Sequence, residues 1–95
     1  MRFEIKNKTA YYGSGSGASE DGQPIVFIHG AGFDHTVWVL PARYFARKGF
    51  RVIALDLPGH GRSEGPALTS VEAMSDWIVE VSETLALQDL VVVGH

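Results

Sequence analysis

Three short runs constrain this chain more than anything else in it: "PIVFIHG" from Pro24, "RVIALDLPG" from Arg51 and "LVVVGH" from Leu90. In each, apolar residues occupy consecutive positions rather than alternate ones. A half-buried strand alternates. A run apolar on successive residues is buried on both faces, as in the interior of a parallel sheet. Each run then breaks into a turn carrying glycine and histidine, so the three ends share one chemical character. Between the runs lie stretches of helical length. Strand, helix, strand, helix, strand implies a parallel sheet with right-handed crossovers and cover on both faces.

The intervening stretches support that order. "TVWVLPARYFARKG" offers Trp38, Tyr44 and Phe45 as an apolar side, with Lys48-Gly49 as its end. Proline is tolerated in a first turn and disruptive further in, so the regular helix is expected to begin near Pro41. In the second stretch, Thr69 and Glu72 have the spacing of a capping box. Val71, Met74, Ile78, Val81 and Leu85 then fall on one helical stripe. Ahead of the first buried run, "RFEIK" alternates with period two and "TAYYG" returns as its partner, with a turn near Asn7-Lys8. Gly13 to Gly22, "GSGSGASEDG", reads as a flexible polar loop. The predicted fold class is therefore α/β: a mostly parallel sheet with an N-terminal antiparallel hairpin and helical crossovers.

Ligands of such sheets gather at the carboxyl ends of the strands, where the polar signals sit. In "HGAGFDHTVW" the glycines leave backbone N–H groups unobstructed, and such donors can hold the oxygen that becomes negative when a carbonyl is attacked. The same glycines also suit a tight connection with no chemistry, and the turn alone does not separate the two. "DLPGHGRSEG" predicts a rigid turn. His60, wedged between glycines, is expected to be structural rather than a general base. Arg62 is expected to be a solvated arginine rather than an anion site.

Other chemistries find little support. The formal charge of -3 disfavours a nucleic-acid or anionic-membrane surface as partner. The chain has no cysteine, hence no disulfide framework, thiolate site or thiol nucleophile. His29, His35, His60 and His95 are not paired at metal-site spacing, so no metal is expected. "GSGSG" does not bridge a buried strand and a helix as a dinucleotide loop does, and no phosphate-binding Gly-Lys-Ser/Thr sequence is present. No apolar run approaches the roughly 18 residues of a membrane span. "MRFEIKNK" lacks the apolar stretch of a signal peptide, which leaves the cytoplasm as the default compartment.

"VVVGH" matches the opening of a nucleophile elbow, a strand running into Gly-x-Ser-x-Gly and a helix. Taken with "HGAGFDHTVW" and "DLPGHGRSEG", in that order and at these separations, it makes the chain resemble the N-terminal part of an α/β-hydrolase fold enzyme. The resemblance covers nearly everything from Pro24 onward, and the leading hairpin fits it. It implies that residues 1–95 are the N-terminal part of a single α/β-hydrolase domain.

The resemblance also implies roles. His29-Gly30 would open the oxyanion turn, and the backbone N–H of Ala31 would be one oxyanion donor. Gly30, Gly32 and Phe33 would line the substrate site. Asp56 to Ser63 would support the site without joining the triad. Gly94 and His95 would support the elbow, and His95 would not be the triad histidine. Nucleophile, acid and catalytic histidine would lie beyond residue 95, so these 95 residues alone would be inactive. They would also not be an autonomous domain, because ordering costs about 1.5 kcal/mol per residue and an apolar parallel strand would be left bare at the sheet edge. The remainder of the same protein would complete the sheet. Alternatively the chain stops where a chemically modified nucleophile stands, which an intact mass of 10.3 kDa would exclude.

The implied function is hydrolysis of a small-molecule ester, lactone or related carbonyl by a Ser-His-Asp triad, with no cofactor. Carbon–carbon bond hydrolysis uses related parts. Aspartate-nucleophile dehalogenases and epoxide hydrolases more often carry proline two places after the His-Gly pair, where this chain has Gly32. Receptor-like members that have lost catalysis share the same sheet and turns, and a binding module made of the 95 residues alone is a third class. Phe33 and Trp38 could line an apolar pocket, and core packing accounts for Trp38 equally well.

Overall fold

The computed structural model describes residues 1–15 and 21–94. The middle of the polar loop and His95 therefore lie outside the described residues. The elements are β1 (Arg2–Ile5), β2 (Lys8–Gly13), β3 (Pro24–Ile28), a 3-10 turn (His35–Trp38), α1 (Val39–Arg47), β4 (Arg51–Asp56), α2 (Val71–Thr84) and β5 (Val91–Gly94). They build one mixed sheet in the order β1-β2-β4-β3-β5. β3 pairs in parallel with both β4 and β5, and β2 joins β4 antiparallel. This is the α/β architecture that the apolar runs predict.

Residues on alternate sides of β3 and β4 feed two separate cores. Val26, Ile53, Leu55 and Leu57 meet Trp77 and Val81 of α2, together with Ile5, Ala10 and Tyr12 of the hairpin. Ile25, Phe27, Val52 and Ala54 meet Ala42 and Ala46 of α1. Ile53, Leu55 and Phe27 are essentially excluded from solvent, and burying each contributes on the order of 2 kcal/mol. Trp38 lies against Phe27 with ring centroids 5.0 Å apart, so it serves the core.

Several local expectations shift. The hairpin turns at Lys6-Asn7, one residue early, with Ile5 opposite Lys8. Both turn residues have positive φ, 49° and 64°, which is the two-residue turn that matches strand twist. α1 starts at Val39, which leaves Pro41 in the first turn, where its missing N–H costs nothing. The cap of α2 is Ser70 rather than Thr69: its Oγ accepts from the Ala73 N–H at 3.0 Å. Position 73 is alanine, so no reciprocal capping box forms. Glu72 still places a negative charge in the first turn, where the helix dipole favours it. Val71, at the first helical position, is 82% exposed, and Trp77 is buried in its stead.

β5 differs from the other parallel strands. Val91 and Val92 are 42% and 49% exposed. Among the described residues β5 pairs only with β3, so its burial on both faces is not realised here. No helix of the described residues is long and apolar enough to cross a membrane.

Candidate active site

The parallel register brings the ends of β3 and β5 side by side, with Ile28 opposite Gly94. Ile28, Gly30, Ala31, Leu57, Leu68, Met74 and Gly94 line a cleft of about 290 Å³ at this end of the sheet. Gly32 and Phe33 lie outside it, in a more open depression shared with Val37, Gly59 and His60. The sequence candidates thus divide: Gly30 and Ala31 join Gly94 in the cleft, while Gly32 and the 54% exposed Phe33 face the neighbouring depression. His95 lies outside the described residues.

The turn after β3 is a type II turn. The Phe33 N–H donates to the Gly30 carbonyl at 3.1 Å, and Gly32 at the third position has φ +84°. That position requires positive φ, which glycine adopts without a Cβ penalty. No atom lies within 4 Å of where a Gly32 Cβ would stand, so conformation rather than space requires the glycine. Among the described residues the Ala31 N–H has no hydrogen-bond partner, and Ala31 is exposed at the cleft.

His29 is 98% buried directly below this turn. A carbonyl can only accept, so the 2.8 Å contact from Nδ1 to the Gly30 oxygen puts the proton on Nδ1. Nε2 is then free to accept from the Leu57 N–H at 3.0 Å. The imidazole is fully committed, and it ties the β3 turn to the loop after β4.

Asp56, at the end of β4, is completely buried. One oxygen accepts from the His35 N–H at 2.7 Å and from His35 Nδ1 at 2.9 Å; the other accepts from the Arg62 N–H at 3.0 Å. Its carbonyl accepts from the Ser63 hydroxyl at 2.7 Å, and Ser63 Oγ accepts in turn from the Tyr11 N–H. A buried carboxylate needs donors of this kind. Here they fasten the loop that Asp56 to Ser63 form to the hairpin and to the 3-10 turn. The exposed Arg62 places its guanidinium over the Tyr11 ring, 4.9 Å from its centroid.

Asp34 caps the 3-10 turn by accepting from the Thr36 N–H at 2.9 Å and from the Thr36 hydroxyl. These bonds, the hydroxyl's first, hold its carboxyl below the ordinary aspartate value. Asp34, His35 and Asp56 bring potential ligand atoms within 4.8 Å of one another. The hydrogen bonds above already engage them.

Sequence reasoning missed the partners of these groups. His35 and Asp56 are 21 positions apart, and His29 and Leu57 are 28 apart. No local pattern reports such pairings. The only signal was a polar residue at the end of each buried run.

Comparison with known proteins accords with this geometry. Residues 25–95 match the model of the alpha/beta hydrolase family. The chain belongs to that family. It is 37% identical over 90 residues to an (E)-2-((N-methylformamido)methylene)succinate hydrolase of Acinetobacter baylyi, covering 94% of this chain and 32% of that protein. It is 36% identical over 76 residues to a non-heme chloroperoxidase of Streptomyces lividans, covering 79% and 28% respectively. Among solved structures, a bacterial membrane phospholipase A superposes with a TM-score of 0.89 at 28% identity, covering all of this chain and 30% of its own. The chain therefore spans about a third of the length of these relatives. It is a hydrolase-family chain of the α/β fold.

Proposed function

We propose that the complete protein is a serine hydrolase of carbonyl substrates, esters or lactones foremost. The triad and the second oxyanion donor would come from sequence beyond residue 95, which would also extend the sheet along β5. In this reading the nucleophile follows His95 at the top of β5. The triad histidine takes its proton as it attacks the carbonyl carbon, and the Ala31 N–H holds the oxygen as it becomes negative. Collapse expels the alcohol, which receives that proton, and water then releases the acid by the same steps. The observation carrying the reading is the Ala31 N–H, which has no partner among the described residues, at the cleft that Gly94 shares. Gly32, where aspartate-nucleophile members more often have proline, favours serine.

The test is turnover of p-nitrophenyl acetate and butyrate by the complete protein, with and without prior exposure to a fluorophosphonate. Turnover abolished by the probe supports a serine nucleophile. Turnover untouched by the probe would point to another nucleophile, and neither turnover nor labelling would favour a non-catalytic member of the fold.

A further inference from the structure

Two imidazoles among the described residues reach the cleft, His29 and His60, and His60 is the less buried of the pair, with no part in the proposed chemistry. It stands between the cleft and the more open depression, its ring centroid 5.0 Å from that of His29. Its Nδ1 lies 3.1 Å from the Pro58 carbonyl, which can only accept, so Nδ1 carries the proton. Its Nε2 is then bare and accepts the Gly32 N–H at 3.1 Å. The two histidines therefore stitch the loops in opposite senses. His29 sits under the β3 turn and accepts from Leu57 of the β4 loop; His60 sits on the β4 loop and accepts from Gly32 of the β3 turn.

Around the turn, each bond has a distinct effect. The Gly30 carbonyl is held by His29 Nδ1 and by the Phe33 N–H, while the Gly32 N–H is held by His60. The Gly30 carbonyl belongs to the same planar peptide group as the Ala31 N–H, and the Gly32 N–H to the next one, so these contacts hold the group that carries the donor and the group that follows it. The loop that carries His60 is itself rigid: His60 N–H donates to the Leu57 carbonyl and Ser63 N–H to the His60 carbonyl. Gly61 beside it is pressed against the buried Asp56 carboxylate.

We propose that His60 is a positioning residue, which by accepting from Gly32 aims the Ala31 N–H into the cleft. Its effect on rate rests on the proposed oxyanion role of Ala31, and its grip on the turn does not. Because the bond lies at the surface it adds little to folding. Its consequence is orientation, and a shift of about 1 Å in a reacting group can cost on the order of a hundredfold in rate.

Two substitutions separate the two ends of the ring. His60→Asn retains a donor where Nδ1 meets Pro58 and is too short to reach Gly32; His60→Gln places an acceptor near the Nε2 position. In the complete protein, H60N should lower kcat on p-nitrophenyl butyrate roughly 10- to 100-fold with KM within about twofold, and H60Q should recover to within roughly threefold of the parent. Amide hydrogen exchange at Gly32, followed by NMR, is the second readout: slow in the parent and in H60Q, faster in H60N. A kcat for H60N equal to the parent's, or a change in KM alone, would overturn the rate effect. Equal Gly32 exchange in all three would overturn the pin itself. If the parent hydrolyses no ester, the oxyanion reading fails, and Gly32 exchange still decides whether His60 holds the turn.

Discussion

Gly94 lies directly opposite Ile28 across the parallel pair of β5 and β3. One residue past Ile28 the chain enters the His29-Gly30-Ala31 turn, so that turn and the end of β5 open on the same cleft. A parallel register makes this unavoidable, because strands running the same way finish at the same edge of the sheet. The proposed chemistry needs just this adjacency: a donor on one strand end and a nucleophile on the next.

Ala31→Pro tests the donor without dismantling the turn. Ala31 is the second residue of a type II turn, where proline is favoured. The substitution deletes the N–H and keeps the backbone path. In the complete protein kcat should fall roughly 100- to 1,000-fold, as for loss of one oxyanion donor, with the melting temperature within about 2 °C of the parent. Unchanged ester turnover in a folded A31P protein would remove Ala31 from the mechanism.

Asp56→Asn should destabilise the complete protein by about 3 kcal/mol. The amide keeps one acceptor oxygen and puts an NH2 in place of the other, so donors meet donors either at the His35 N–H groups or at the Arg62 N–H. Urea denaturation monitored by circular dichroism checks this. A loss below about 1 kcal/mol would mean the network contributes little.

Two glycines with positive φ should respond differently to alanine. At Gly61, φ +51°, a Cβ would be driven into the Asp56 carboxylate; at Gly49, φ +92°, it would meet nothing within 4 Å. Gly49→Ala should therefore cost only the left-handed backbone, about 1 kcal/mol, and Gly61→Ala at least about 3. Equal shifts in thermal midpoint for the two variants would contradict the packing described for Asp56.

Asp34→Ala removes the cap of the 3-10 turn and should cost about 1 kcal/mol at pH 7. The Thr36 hydroxyl and amide lower the folded-state pKa of Asp34, so its charge stabilises the fold most fully above the unfolded value, near 4. That contribution is lost as pH falls through the lowered folded value. The stability gap between parent and variant should be constant from pH 7 to about 5 and narrow in acid. A gap that widens in acid would refute the assignment.

How much of this was legible beforehand follows from the range of each interaction. The apolar runs at Ile25 and Val52 are local patterns, and they delivered the sheet, its parallel strands and the side on which the turns collect. The cap of α2 fell one residue off because Thr69 and Ser70 can both cap, and only the extended backbone of Ser70 decides between them. Trp77, three residues after Met74 and four before Val81, lies on the same helical face as the predicted stripe, which stepped from Met74 to Ile78 and passed over it. For β5, apolar side chains predict burial, but burial also needs a neighbour, and among the described residues Val91 and Val92 have only β3 as a strand partner. The turn residues Gly30 to Phe33 are named by the family resemblance; their composition alone offers only glycines at a strand end. Their division between cleft and outer depression, and the hold of His60 on Gly32, depend on partners 28 positions away.

The most direct test of the central claim is a crystal structure of the complete protein after reaction with a phosphonate ester, which mimics the tetrahedral intermediate. The account predicts a covalent adduct on the residue that follows His95, with a phosphonyl oxygen within about 3 Å of the Ala31 nitrogen. An adduct elsewhere, or one whose oxygens all point away from Ala31, would contradict it.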